Sequence, residues 1–193
     1  MEAQPSRSKV RVWDRFVRFF HWTLAASFAA SYWSAKAGKS ELHAVLGYFV
    51  AGLLVARVFW GFYGSNFARF SDFVHSPAIV WSYLRAIAAG HPRRFLGHNP
   101  AGGYMAIALL SALGIVCVTG LSVFAVIDFD GPLTGLLIVS DRTAYVLEDV
   151  HALAVNVVLV MIAIHLIGVI AASFQHRENI VRAMITGFKE SRE

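Results

Sequence analysis

The chain has 193 residues, 57% of them hydrophobic and 15% charged, with a net charge of +5 and a mean hydropathy of +0.58. That apolar excess, gathered into runs of about 20 residues, excludes an ordinary soluble domain and predicts an integral membrane protein. The single cysteine, Cys117, excludes an internal disulfide, a thiolate cluster and any C-x-x-C-H attachment.

Residues 1–18 are polar and basic, with Arg7, Lys9, Arg11, Arg15 and Arg18 around Asp14. Arg11, Arg15 and Arg18 recur at helical spacing, so a helix is expected from near residue 12, entering the membrane near residue 16. Its apolar part reaches residue 35. A secretory signal peptide is the rival for this stretch, because Ala35-Lys36-Ala37 resembles a cleavage site. Signal h-regions run to about 7–15 apolar residues. This run is longer, rich in aromatics, and contains His21.

The second run covers residues 42–63, with His43 at its start and Phe59, Trp60, Phe62 and Tyr63 at its end, a cluster suited to a membrane interface. The loop 64–103 contains an amphipathic stretch, 77–89, expected as a short interfacial helix. The prolines and glycines of HPRRFLGHNPAGG then break helix. The third run, 104–127, is uncharged, and Gly114 and Gly120 admit close approach of a backbone or a flat ligand. An acidic connection with a turn at Asp130-Gly131-Pro132 leads to the fourth helix, expected at 149–173 with Glu148 and Asp149 favouring its N-terminus. A basic amphipathic tail follows. The predicted fold is all-α, a single-domain integral membrane four-helix bundle with a short interfacial helix in the cytoplasmic loop.

Four spans put both termini on one side. Thirteen Lys and Arg lie on that side, in the N-terminal segment, the middle loop and the tail, against three, Lys36, Lys39 and Arg142, on the other. The positive-inside rule therefore predicts cytoplasmic termini. It also accounts for the basic balance without nucleic acid.

The histidines carry the chemistry. His151 and His165 are 14 residues apart in the fourth run. On a helix that spacing returns to within about 40° of the same face, roughly 21 Å further along. Topology assigns depths to the rest. His21 lies near the cytoplasmic end of the first span, level with His165. His43 lies near the outer end of the second, level with His151. Two imidazoles facing each other from rigid helices suit the axial ligation of a low-spin haem, and the lone cysteine requires that it be held non-covalently. Arg57 lies 14 residues after His43, on nearly the same face. A buried arginine needs a counter-charge, and a haem propionate supplies one, with snorkelling to headgroups as the alternative. Gly47, one turn after His43, leaves room for a macrocycle. His75, His91, His98 and His176 fall in loops and read as solvated. Met105, Met161 and Met184 are ligands in principle, although Met161 sits one turn before His165 and reads as packing.

The stretches VWDRFVRFFHW at 12–22, LHAVLGYFVAGLLVARVFWG at 42–61, LGHNPAGG at 96–103, the H-x13-H pair and the tail HRENIVRAMITG at 176–187 resemble the prokaryotic cytochrome b561 family. That family includes the b-type cytochrome subunit of nickel–iron hydrogenases. The resemblance spans nearly the whole chain. It implies two b haems with His21, His43, His151 and His165 as axial ligands, in agreement with the depth argument. It further implies electron exchange between the quinone pool of a bacterial inner membrane and a periplasmic partner, either a hydrogenase or a c-type cytochrome. Some small members instead oxidise superoxide and reduce quinone. The acidic outer segments, with Glu41, Asp128, Asp130, Asp141, Glu148 and Asp149, suit a basic partner. Arg18, Arg57 and His75 are candidates for a quinone site because they should lie near the inner haem. The rival of another class is a histidine-lined transporter of metal ions or protons, which predicts carboxylates inside the helices. None lies in the four apolar runs. A bare membrane anchor would leave the matched histidines unexplained. The sequence leaves the oligomeric state open, a homodimer included.

Overall fold

Four long helices dominate a computed structural model that describes residues 8–191: Arg15–Lys36 (α1), Ser40–Tyr63 (α2), Pro100–Ile127 (α5) and Asp141–His176 (α6). Three short helices, Phe70–Phe73 (α3), Pro77–Ala88 (α4) and Ile180–Thr186 (α7), lie between α2 and α5 and after α6. Arg7 and Arg192, which enter the charge count above, lie outside the described residues. By length and composition α2, α5 and α6 each suffice to cross a membrane. The first predicted run coincides with α1, whose 22 residues reach about 33 Å, but Arg15, Arg18 and a series of serines lower its hydropathy.

Two helix starts differ from expectation. The third was expected at residue 104, yet α5 begins at Pro100. Asn99 accepts from Gly102 N at 2.7 Å, and Pro100 takes the first helical position, where its missing N–H costs nothing. The fourth was expected at residue 149, yet α6 begins at Asp141. Ser140 Oγ meets Thr143 N at 3.4 Å and Thr143 Oγ1 at 3.0 Å, and Asp141 supplies the first-turn carboxylate. Glu148 and Asp149 therefore lie inside the helix rather than at its cap. The stretch 77–89, by contrast, forms α4 almost to the residue, with Pro77 in its first turn.

The chain packs as two units. One contains residues 22–57 and 106–164. Here α1 ends in a Schellman turn: Gly38 adopts φ +69°, its N–H donates to Ala35 O at 3.0 Å, and Lys39 N–H donates to Ser34 O at 2.9 Å. The short connection that results makes α1 and α2 antiparallel neighbours. Ser27, Ser31 and Ser34 lie on one face of α1 and are buried. Val158 of α6 is fully buried.

The other unit contains the described residues among 1–21, 58–105 and 165–193. Its core is Val12, Trp13, Val17, Ala68 and Ala183, with Phe16, Trp60, Phe67 and Met184 packed against it. Lys9–Arg11 (β1) pairs antiparallel with Phe188–Glu190 (β2), a strand pair that the all-α expectation did not include. Gly187, at φ +89°, ends α7, and its carbonyl accepts from both Val12 N and Trp13 N. Asp14 ties this unit together. It accepts from Val17 N at 2.7 Å, from Trp60 Nε1 at 2.9 Å and from Ser65 Oγ. Burial alone would raise its carboxyl, but the hydrogen bonds from Ser65, Val17 and Trp60 prevail and hold it below its ordinary value. A depressed carboxyl contributes stability above its ordinary pKa and loses it as pH falls through the folded value. Asp14→Ala should therefore lower the melting temperature at pH 7, by about 1–3 kcal/mol of stability. The difference from wild type should begin to shrink as pH falls below 3.8 and go on shrinking through the lower folded value.

Candidate functional site

Each unit contains one pair of facing histidines. In one, His21 of α1 and His165 of α6 have ring centroids 6.5 Å apart with planes at 51°. In the other, His43 of α2 and His151 of α6 are 6.2 Å apart at 76°. These are the pairs that depth assigned. The spacing has a physical meaning. Two imidazoles sharing a direct N–H···N bond of about 2.9 Å would bring their centroids to roughly 5.1 Å. Two imidazoles bound to one metal ion at about 2.0–2.1 Å each, with ring centres about 1.1 Å beyond the nitrogens, place them roughly 6.2–6.4 Å apart. The His43–His151 separation falls within the second range, the His21–His165 separation lies just beyond it, and neither pair is close enough for a direct bond. Among the described residues no group of three or more His, Cys, Asp or Glu gathers to hold a metal. Each pair offers two imidazoles, which could hold a haem iron.

His43 and His151 each have a hydrogen-bond partner on Nδ1. His43 Nδ1 lies 2.9 Å from Ser31 O and 3.0 Å from Ser31 Oγ. The carbonyl can only accept, so the proton sits on Nδ1 and Nε2 keeps its lone pair. His151 Nδ1 lies 3.0 Å from Thr119 Oγ1. That hydroxyl already donates to Ile115 O at 2.8 Å or Val116 O at 3.1 Å, so it accepts from His151 Nδ1, with the same consequence for Nε2. Ser31 and Thr119 were missed in the sequence. A polar residue in an uncharged run was the available signal, but it does not say which histidine the hydroxyl meets.

Glycines bound this pair. A Cβ at Gly120 would stand 3.0 Å from His151 Cε1, so the ring occupies the space that a side chain would need. A Cβ at Gly47 or Gly114 would meet no protein atom within 4 Å, so protein packing does not account for either glycine. Arg57 is 4% exposed, a buried guanidinium on an apolar helix.

Among the remaining candidates, Arg18 lies against the α7 turn, its Nη1 3.2 Å from where a Gly187 Cβ would be. His75 Nδ1 lies 2.9 Å from Phe73 O. His91 is exposed, as expected of a loop residue. His98 is not solvated: its ring packs 4.7 Å from Trp13 and 4.6 Å from Phe73. The reading of His98 as a solvated loop residue is thereby corrected, because both aromatics come from segments distant in sequence. Met184 packs in the core of its unit rather than at either histidine pair.

Apolar spanning helices that hold paired imidazoles define a class, the membrane proteins that carry redox groups between helices. Residues 12–187 match the family described as prokaryotic cytochrome b561, and the chain belongs to that family. Among curated proteins it is similar to a "Probable Ni/Fe-hydrogenase B-type cytochrome subunit" of Rhizobium leguminosarum bv. viciae, 24% identical over 222 residues, which cover 96% of this chain and 91% of the relative. No solved structure matches it. The chain is therefore a membrane cytochrome b of electron transport, and its family implies haem b.

Proposed function

We propose that this cytochrome carries two b haems and moves electrons between the quinone pool and a redox partner outside the bacterial inner membrane. The observation that carries the reading is that two imidazole pairs face each other from separate helices at 6.5 and 6.2 Å between ring centroids, too far for a direct bond and close to the spacing that one metal ion between them would give. His21 and His165 would hold one haem, and His43 and His151 the other. When bound, haem b supplies a one-electron ferric/ferrous couple. The protein holds both ligands of each pair on helices, so they keep their places when the charge between them changes. Ser31 and Thr119 fix the ring orientation and proton position of His43 and His151. Arg57 would neutralise a propionate by bidentate hydrogen bonding, and Gly47 would make room for the ring edge.

The excess of Lys and Arg in the terminal segments and the 64–103 loop supports cytoplasmic termini. Exposed Ile79, Trp81 and Leu84 on α4 support an interfacial position for that helix. Quinone would bind near Arg18, Arg57 or His75. The outer partner would approach the side of His43 and His151, where Glu41, Asp128, Asp130, Asp141, Glu148 and Asp149 are exposed. A hydrogenase is supported by the relative's description, and a basic c-type cytochrome by those carboxylates. The test is anaerobic addition of a soluble quinol to the purified haem-loaded protein. Prompt reduction, followed by electron delivery to one of those partners, is expected. Reduction by dithionite but not by quinol would rule out the quinone half.

A further inference from the structure

The end of α6 carries a second site. From Val150 to His176 the helix has no Asp, Glu, Lys or Arg, and the next residue is Arg177. An uncharged run of that length fills a hydrocarbon core, so Arg177 stands at headgroup level. It borders a cavity of about 310 Å³ whose walls hold Lys9, Arg177, Arg182 and Lys189 against two carboxylates, Glu178 and Glu190. Lys189 is already engaged with Glu178 at 3.6 Å, and the same carboxylate receives Arg94 Nε at 3.0 Å. Lys9, Arg177 and Arg182 are exposed around the cavity. Beside them Val181, Ile185 and Phe188 are 46%, 54% and 40% exposed. Cations at headgroup depth next to outward apolar side chains match the two halves of one ligand type, a phosphate ester with acyl chains.

We propose that this cavity binds the phosphate of an anionic glycerophospholipid, held by Lys9, Arg177 and Arg182, with α7 and Phe188 against its acyl chains. A free phosphate would explain the cations but not the apolar flank. The proposal rests on the membrane span and not on the haem ligands.

The test is native mass spectrometry of the full-length, haem-loaded protein released from vesicles of phosphatidylglycerol and phosphatidylcholine in equal parts. Wild type should retain phosphatidylglycerol in preference. At about fivefold in binding per basic residue, Arg177→Gln/Arg182→Gln should retain it roughly 25-fold less. Arg85→Gln/Arg93→Gln, which removes the same charge away from the cavity, should retain it as wild type does. Absence of headgroup preference in wild type would overturn the proposal, as would equal loss in both double variants or unchanged retention in the first. Displacement of bound phosphatidylglycerol by millimolar inorganic phosphate would assign the cavity to a free anion and overturn it as well.

Discussion

Replacing His165 with alanine should remove about half of the haem from the purified protein and leave the remainder spectroscopically intact. His165 faces His21 at 6.5 Å, whereas His43 and His151 face each other within the other unit. Removing an outer-shell partner of a metal ligand typically costs 10–100-fold in affinity, and removing the ligand itself costs more. Retention of the full haem complement in His165→Ala would show that the pair does not ligate. Loss of all haem with an unfolded circular dichroism spectrum would be read against His21→Ala, which truncates the opposite wall and should give the same half-loss.

The second large effect is expected from a residue that ligates nothing. Gly120→Leu should release the other half of the haem. A Cβ at this position already stands 3.0 Å from His151 Cε1 and 3.5 Å from Nδ1, so a branched side chain has to displace the ring and break its bond to Thr119. Gly120→Ala needs a shift of only tenths of an ångström and should keep the haem while altering its midpoint potential. The two lesions strike different pairs, so Gly120→Leu/His165→Ala should be close to additive and nearly haem-free. A Gly120→Leu protein with unchanged haem content and potential would show that His151 has room to spare.

The histidine pairs were legible because the helix period is fixed. Fourteen residues bring His165 back under His151, and alternating span direction gives each an opposing partner. Helix starts were less legible, since hydropathy marks the membrane run rather than the helix. Asp141 to Asp149 is polar and Pro100 looks like a breaker, yet both stretches are helical. The β1–β2 pair lay beyond reach: its three-residue strands show no usable alternation and stand at opposite ends of the chain. His98 was misread for a related reason, because Trp13 and Phe73 reach it only through the fold. Its loop address says nothing of that. Ser31 and Thr119 show the same limit at the site itself, where the residue type is visible but the partner is not.

The central claim is that the chain holds two haems, each between two histidines. Haem quantitation of the purified wild-type protein, read with its reduced-minus-oxidised spectrum and the low-temperature spin resonance of the oxidised form, tests it most directly. The account predicts two b haems per chain, both low-spin with two imidazole ligands. A colourless protein, a single haem, or a high-spin iron with one open axial position would contradict it.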